Sequence, residues 1–514
     1  MYLTQSLHRA VRQSPDVPFT VFNGRAHTAR QTYDVVSRLA GGLRGLGVRK
    51  DDRVGLLSLN TDRFCQIALA TAWADAAVVP LNTRWSATEH AYAVDDAEAS
   101  VLFVDDAFLP MVAELRAKAP GLRTLVHCGD APTPEGLVPL SDLLAAEPVE
   151  DAHRQGDAMA GIFYTGGTTG LPKGVMLGHR QLYVTALGTL LHTRLPRGGA
   201  SILAAPAFHL AGFAFWIVGM MADMTTVPVA LFDPVGILRT VQEHRARQTL
   251  LVPAMIQAIV SHPEAGAYDL SSLELLAYGA SPISETLLTR ARAAFPSAQF
   301  LQVYGMTELS PSTTLLQDAD HDDPVLRRSV GQAAPYARVR IVDEKGTEVP
   351  PGTIGEIVAA GDHVMLGYWK KPAETAEAVR DGWMHTGDVG YMDERGYVFV
   401  VDRLKDMIVS GGENVYSTEV ENVVAKHPAV AQVAVIGLPD DRWGERVHAV
   451  VTLAPGATLT LEELSEFCRR EIAGYKCPRS LESVDQFPMS GAGKILKREL
   501  RASVRSGTGT PARG

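Results

Sequence analysis

Residues 159–174 read Met-Ala-Gly-Ile-Phe-Tyr-Thr-Gly-Gly-Thr-Thr-Gly-Leu-Pro-Lys-Gly. The first five form an apolar run suited to a buried strand. From Tyr164 to Gly174 the chain combines glycine, threonine and lysine over eleven positions. Glycines let a backbone approach a ligand and turn several N–H groups toward one anion. Thr165, Thr168 and Thr169 add hydroxyl donors, and Lys173 adds a charge. With Gly166, Gly167 and Gly170 they make a candidate clamp for the β- and γ-phosphates of a nucleotide. No Gly-Lys-Ser/Thr closes the loop, so it is not a Walker A sequence.

The chain around this loop alternates short β-branched runs with longer helical patterns. Residues 54–59, 77–81 and 100–104 read as strands, with helices over 63–74 and 87–95. The pattern returns with strands at 201–206, 249–252, 273–278 and 300–304. Such alternation predicts βαβ units and a largely parallel sheet, with ligands at the carboxyl ends of the strands. From about residue 335 short strands (338–342, 355–359, 397–401) joined by Gly-rich turns predict a β-rich lobe. After residue 406 a compact α+β unit is expected: helices over 417–426 and 461–472, extended runs at 430–436 and 447–453. The Gly/Thr/Pro-rich residues 506–514 read as a disordered tail.

Composition narrows the function. The 514 residues carry 48 Lys+Arg against 58 Asp+Glu, a net charge of -10, unlike the basic face of a nucleic-acid binder. Cys65, Cys128, Cys468 and Cys477 form no C-x-x-C pair and are expected to be reduced packing residues of a cytoplasmic protein. The N-terminus lacks the apolar stretch of a signal peptide. The longest apolar run, 210–222, is too short to span a bilayer and reads as a buried helix; peripheral membrane contact stays open.

The segment from Tyr164 to Gly174 resembles the phosphate loop of the AMP-forming adenylating enzymes, the superfamily of the acyl-CoA synthetases. The resemblance extends over residues 5–502, with Gly166 where the family usually has serine. It implies a large N-terminal domain of layered α/β sheets plus a β-rich lobe (1–402), a hinge (403–405, centred on Lys405) and a small mobile α+β domain (406–505). In Tyr304-Gly305-Met306-Thr307-Glu308 it implies that Tyr304 packs on adenine, Thr307 meets the α-phosphate and Glu308 ligates Mg²⁺, a hard cation suited to carboxylate and phosphate oxygens. Gly279, Ala280 and Ser281 border the adenine. Asp388 takes the ribose hydroxyls, Arg403 lies near ribose and phosphates, and Gly411-Gly412 gives passage to a pantetheine arm. Lys494, in Gly491-Ala492-Gly493-Lys494, enters the site only for adenylation.

The same resemblance places the acyl pocket at His209, the gate of the carboxylate site, with Phe213, Tyr278, Gly279, Gly305 and Met306. Tyr278 is expected to narrow it. Residues 206–222 contain neither an Asp for an α-ammonium nor a Lys or Arg for a second carboxylate, so the substrate is expected to be an apolar monocarboxylic acid. A medium- or long-chain fatty acid comes first; an aryl or phenylpropenoic acid, or loading of a carrier protein, is the alternative. The implied reaction is ATP-dependent: acyl-adenylate formation with release of pyrophosphate, then attack by CoA with release of AMP. The catalytic candidates are Lys494, His209, Thr165 and Glu308. A homodimer is compatible with this reading.

Overall fold

The computed structural model describes residues 1–165, 172–192, 197–403, 405–410, 413–440, 442–490 and 494–506. The chain divides into two units, Met1–Val339 with Ala359–Met384, and Arg340–Val358 with the rest of the chain from His385.

The first unit contains two sheets whose cores are parallel. In the nine-stranded sheet, Thr225–Pro228, Ala200–Leu203, Ala246–Leu251, Leu275–Gly279 and Gln299–Tyr304 are successive parallel neighbours. In the eight-stranded sheet, Met159–Thr165, Ala77–Pro80, Arg53–Leu57, Val101–Val104 and Thr124–His127 are likewise parallel. The expected βαβ alternation is therefore present. The helix Leu210–Met221 is buried along nearly its whole length. Phe163, Phe213, Trp216, Trp73 and Leu39 belong to one apolar cluster that also takes residues from both sheets. Burial of each large side chain of this kind stabilises the fold by about 1.5–3 kcal/mol.

Local sequence fixes the helix starts. Thr28 and Gln31, and Ser86 and Glu89, form reciprocal capping boxes that satisfy otherwise unpaired N–H groups. All four cysteines are buried and unpaired. No described helix is long and apolar enough to cross a membrane.

In the second unit, residues Asp388–Met392 of the strand Trp383–Met392 pair antiparallel with Val398–Arg403. A five-stranded sheet is built on the long hairpin Val430–Asp440/Gly444–Leu453. Its apolar residues and those of the helices Ser417–Val424 and Leu461–Arg469 share one core. The architecture is thus mixed α/β, with a large N-terminal sheet domain and a smaller C-terminal domain.

Candidate active site

The phosphate-loop sequence joins two antiparallel strands. Met159–Thr165 pairs with Lys173–Gly178, so Thr165 stands opposite Lys173. The Thr165 hydroxyl lies 3.5 Å from the Lys173 carbonyl oxygen. One neighbouring helix, Ala87–Asp96, holds both flanks: the Tyr164 hydroxyl donates to Asp96 (2.6 Å), and the Tyr92 hydroxyl donates to the Pro172 carbonyl (3.2 Å). Gly166, Gly167, Thr168, Thr169 and Gly170 lie outside the described residues.

Lys173 and Glu308 meet on one side chain that the sequence reading missed. The Tyr368 hydroxyl donates to Glu308 Oε1 at 2.8 Å, and Lys173 Nζ lies 5.0 Å from the Tyr368 ring centroid. Glu308 is buried, at 6% exposure. Burial, then the neighbouring Glu308 carboxylate, raises the Tyr368 hydroxyl well above its ordinary value, so Tyr368 stays a donor. Tyr368 occupies a two-residue strand, Gly367–Tyr368, on the edge of the phosphate-loop sheet. Its Gly-Tyr-Trp context carries no polar pattern that points to Glu308, which is 60 positions away.

Tyr304, Gly305, Met306 and Thr307 follow directly from the parallel strand Gln299–Tyr304, at the sheet edge where ligands gather. All four are only half-buried. Two glycines here are set by backbone packing. A Cβ at Gly279 would lie 2.2 Å from the Val303 carbonyl oxygen, and one at Gly305 would lie 2.2 Å from that of Pro311. Ala280 adopts a left-handed conformation, φ 65, at the turn into Ser281.

Two residues expected to line the acyl pocket, Tyr278 and Phe213, are packed inside apolar clusters. Tyr278 is fully buried on the opposite face of its strand, and its hydroxyl lies 2.8 Å from His321 Nε2 and 3.3 Å from Gln302. Successive strand residues face opposite ways, so Ala277 and Gly279, not Tyr278, share the other face. Phe213 packs edge-on against Phe163 and Trp216, each at 5.2 Å, inside the main core. Met306 packs against that same cluster. A separate apolar cluster does contain Ala277: it comprises Ala205, Phe215, Leu250, Leu301 and neighbours, with Tyr336 packed against it. The Tyr336 ring abuts Gly188, where a Cβ would lie 2.0 Å from Cδ1, and its hydroxyl is 2.7 Å from Ser312 Oγ. His209 caps the helix Leu210–Met221, its Nδ1 accepting from the Ala211 N–H at 3.3 Å. Asn60 braces the approach to His209. It donates to the carbonyls of Leu203 and Ala205 and accepts from the Ala207 N–H.

In the second unit, Asp388 and Arg403 are cross-strand partners, with Arg403 Nε 2.9 Å from Asp388 Oδ1. Asp388 is buried and its N–H donates to Thr386. Glu356 holds the turn before it, through His385 Nδ1 at 2.7 Å and the Gly387 N–H at 3.0 Å. Asp402 accepts from the Ser417 N–H and hydroxyl, and Lys497 Nζ donates to Ser417 (2.6 Å) and pairs with Glu421 (2.7 Å). Lys405 is exposed. Gly411 and Gly412, between paired Ser410 and Glu413, lie outside the described residues, as do Gly491, Ala492 and Gly493. Lys494 is exposed and anchored by its backbone: its N–H donates to Ser490 Oγ at 3.0 Å, and its carbonyl accepts from the Ser490 N–H at 2.7 Å.

Just past the strand Gln299–Tyr304, the buried Glu308 carboxylate meets Tyr368, the same side chain that Lys173 approaches from the strand Lys173–Gly178. Comparison with known proteins identifies the family. The AMP-binding enzyme family matches residues 7–369, and the AMP-binding enzyme C-terminal domain matches 419–494. A feruloyl-CoA synthase of Amycolatopsis sp is 40% identical over 495 residues, covering 96% of this chain and 97% of the relative. The fatty acid–[acyl-carrier-protein] ligase ScoC of Streptomyces coeruleorubidus is 35% identical, covering 97% and 95%. The crystal structure of ATP-bound MatB from Rhodopseudomonas palustris superposes with a TM-score of 0.88 at 30% identity, covering 98% and 99%. The chain belongs to the AMP-binding enzyme family, as an AMP-forming acyl-CoA synthetase. Its reaction joins a small carboxylic acid to CoA at the expense of ATP.

Proposed function

We propose that this acid–CoA ligase acts on an aryl or phenylpropenoic acid. The observation that carries the reading is the apolar cluster of Ala205, Phe215, Ala277 and Leu301, closed by Tyr336. Ala205 stands four residues before His209, two residues past the parallel strand Ala200–Leu203. Tyr336 is wedged on Gly188 and tethered to Ser312, which suits a short planar acyl group better than a long chain. The Tyr336–Ser312 hydroxyl pair also offers hydrogen-bond capacity to a ring substituent. The 40% identical feruloyl-CoA synthase supports the same class. These two grounds reverse the order expected from sequence. A medium- or long-chain fatty acid becomes the second reading, supported by the 35% identical fatty-acid ligase, whose named acceptor is a carrier protein.

In the first step a carboxylate oxygen attacks the α-phosphorus of ATP and pyrophosphate leaves. Two anions must approach, so cationic and N–H groups have to offset the repulsion. By family resemblance Thr165, Lys173 and the loop 166–170 hold the outer phosphates, and Thr307 meets the α-phosphate. Tyr304 packs on the adenine, bordered by Gly279, Ala280, Ser281 and Gly305. Asp388 and Arg403 take the ribose, and Lys494 steadies the charge that forms as pyrophosphate departs. The buried Glu308 carboxylate, steadied by Tyr368, is the donor type that a hard cation takes, and Mg²⁺ held there would supply charge neutralisation at the phosphates. In the second step the CoA thiolate attacks the acyl carbonyl carbon and AMP leaves, with Gly411 and Gly412 beside the pantetheine arm. Lys405 is then the hinge between domains 1–402 and 406–505.

Specificity constants for ferulate and for decanoate on the purified protein test the substrate class. Ferulate should win, and Tyr336→Ala should move the preference toward decanoate. A wild-type preference for decanoate would establish the fatty-acid reading instead.

A further inference from the structure

We propose that His8, Asp151 and His153 form a binding site for a late first-row divalent cation, with Zn²⁺ as its representative. His8 lies on the helix Gln5–Gln13, and Asp151 and His153 lie in the segment that leads into the strand Met159–Thr165. Among the described residues, this is the one group of three His, Cys, Asp or Glu side chains whose ligand atoms lie within 4.8 Å of one another. His8 Nε2 is 2.7 Å from Asp151 Oδ2, and His153 Nδ1 is 3.7 Å from the same oxygen. Zinc bonds to nitrogen and oxygen of about 2.0–2.2 Å in a tetrahedral site put ligand atoms roughly 3.3–3.5 Å apart. The two observed separations bracket that range, so small side-chain shifts suffice.

The three groups are held in place independently of any ion. The His8 ring stacks on Trp73, with centroids 4.9 Å apart and planes 16° apart, and meets the edge of Tyr33 at 5.5 Å. Trp73 is itself tied to the same segment, its indole N–H donating to the Val149 carbonyl at 2.8 Å. His153 is in the left-handed conformation, φ 49, and its N–H donates to Asp151 Oδ1 at 2.9 Å. That turn folds its ring back toward the carboxylate, with Tyr2 edge-on at 5.2 Å. A backbone conformation of this kind is costly for a non-glycine residue and recurs where a side chain has to be aimed.

Burial is graded in the way a metal site needs. The Asp151 side chain is 1% exposed, His8 20% and His153 56%. The carboxylate forms the floor and the imidazoles form the rim. His8 and His153 also line a cavity of about 480 Å³, which leaves room for water ligands. Two imidazoles with one carboxylate suit Zn²⁺, Co²⁺ or Ni²⁺ and disfavour Mg²⁺, which takes oxygen donors in octahedral geometry. On binding, the proton that His8 Nε2 shares with Asp151 moves to Nδ1 or to solvent, which frees the nitrogen lone pair for the metal. The cation would clip the first helix to the strand that precedes the phosphate loop.

The test is equilibrium dialysis of chelator-treated full-length protein against Zn²⁺. Wild type should bind one equivalent saturably, with no competition from millimolar Mg²⁺, and its thermal midpoint should rise with Zn²⁺. His153→Asn is the decisive variant, because asparagine tolerates the left-handed backbone. Losing a group that merely supports a ligand costs roughly 10–100-fold in metal affinity, so loss of a direct ligand should cost at least that. In chelator, both proteins should form thioester equally well, which shows that the variant is folded. Equal Zn²⁺ affinity in the two proteins, or no saturable binding by wild type, would overturn the proposal.

Discussion

Tyr368 shows where reading single residues succeeds and where it stops. Glu308 is singled out in sequence by the five-residue context 304–308, but the residue that bonds it comes from a strand far along the chain and has no polar signature. Tyr278 shows the converse. Its place near the end of a buried strand was legible, but its side-chain direction was not. Strand register decides the face, and a one-residue offset sends a side chain to the other side of the sheet. Hydrogen bonds to charged groups contribute about 1.5–3 kcal/mol, so Tyr368→Phe should lower stability by about that much, because Glu308 is buried and loses a donor. The same variant should raise the Mg²⁺ concentration needed for half-maximal pyrophosphate release. Urea unfolding and a Mg²⁺ titration check the two effects, and an unchanged Mg²⁺ dependence would show that the Tyr368 contact is only structural.

At the scale of elements, the parallel strands were readable because apolar β-branched runs alternate with helical patterns. Boundaries moved where polar residues sit inside strands. The strand expected over 249–252 begins at Ala246 and takes in the polar Gln248, which is buried with its Nε2 donating to Ser201 Oγ at 3.0 Å. The extended run expected over 430–436 continues to Asp440, with Pro439 paired in register with Glu445. No sequence pattern announced that the helix Lys497–Ser506 would send Lys497 between Ser417 and Glu421. Burial pushes the Asp402 and Glu421 carboxyls up. Lys497→Met should leave both without their cation and cost about 3–5 kcal/mol near neutral pH. The loss should shrink as pH falls and the carboxyls take up protons. Denaturation at pH 7.5 and pH 5 tests this; an equal loss at both would mean that Lys497 acts through packing alone.

Buried histidines make the first unit acid-sensitive. Burial lowers His90, His179 and His363 from 6.5 to about 4. Between those values the unfolded chain holds protons that the folded chain refuses. Stability is therefore full above pH 6.5 and is lost as pH falls toward 4. With all three differing, the slope reaches about 4 kcal/mol per pH unit. The urea midpoint should fall steeply between pH 6.5 and 4.5, and a flat profile would contradict the burial of neutral imidazoles.

For the whole molecule, the first passage between units falls at 339/340, within the stretch 1–402 that sequence reads as one domain. The return of Ala359–Met384 to the first unit was not legible. It rests on tertiary contacts: Tyr368 on Glu308, and the Trp369 indole N–H donating to the Asp96 carbonyl at 2.8 Å. If one site runs two reactions with Lys494 and the Gly411-Gly412 loop in turn, the smaller domain has to rotate, with a few backbone dihedrals taking up the motion. Proline at Lys405 would fix φ near −65° and restrict the preceding residue. Lys405→Pro should keep adenylate formation measurable and slow CoA transfer severely, so that acyl-adenylate accumulates. Parallel loss of both half-reactions would remove Lys405 from the hinge.

The two-step chemistry itself is tested most directly by following AMP, pyrophosphate and thioester together in one reaction of purified protein with ferulate, ATP and Mg²⁺. Without CoA, the expected result is a burst of pyrophosphate no larger than the enzyme concentration, with acyl-adenylate retained. On adding CoA, AMP and feruloyl-CoA should appear in a one-to-one ratio. Release of ADP and phosphate, or feruloyl-CoA formation on adding CoA by an enzyme that makes no adenylate without it, would contradict it.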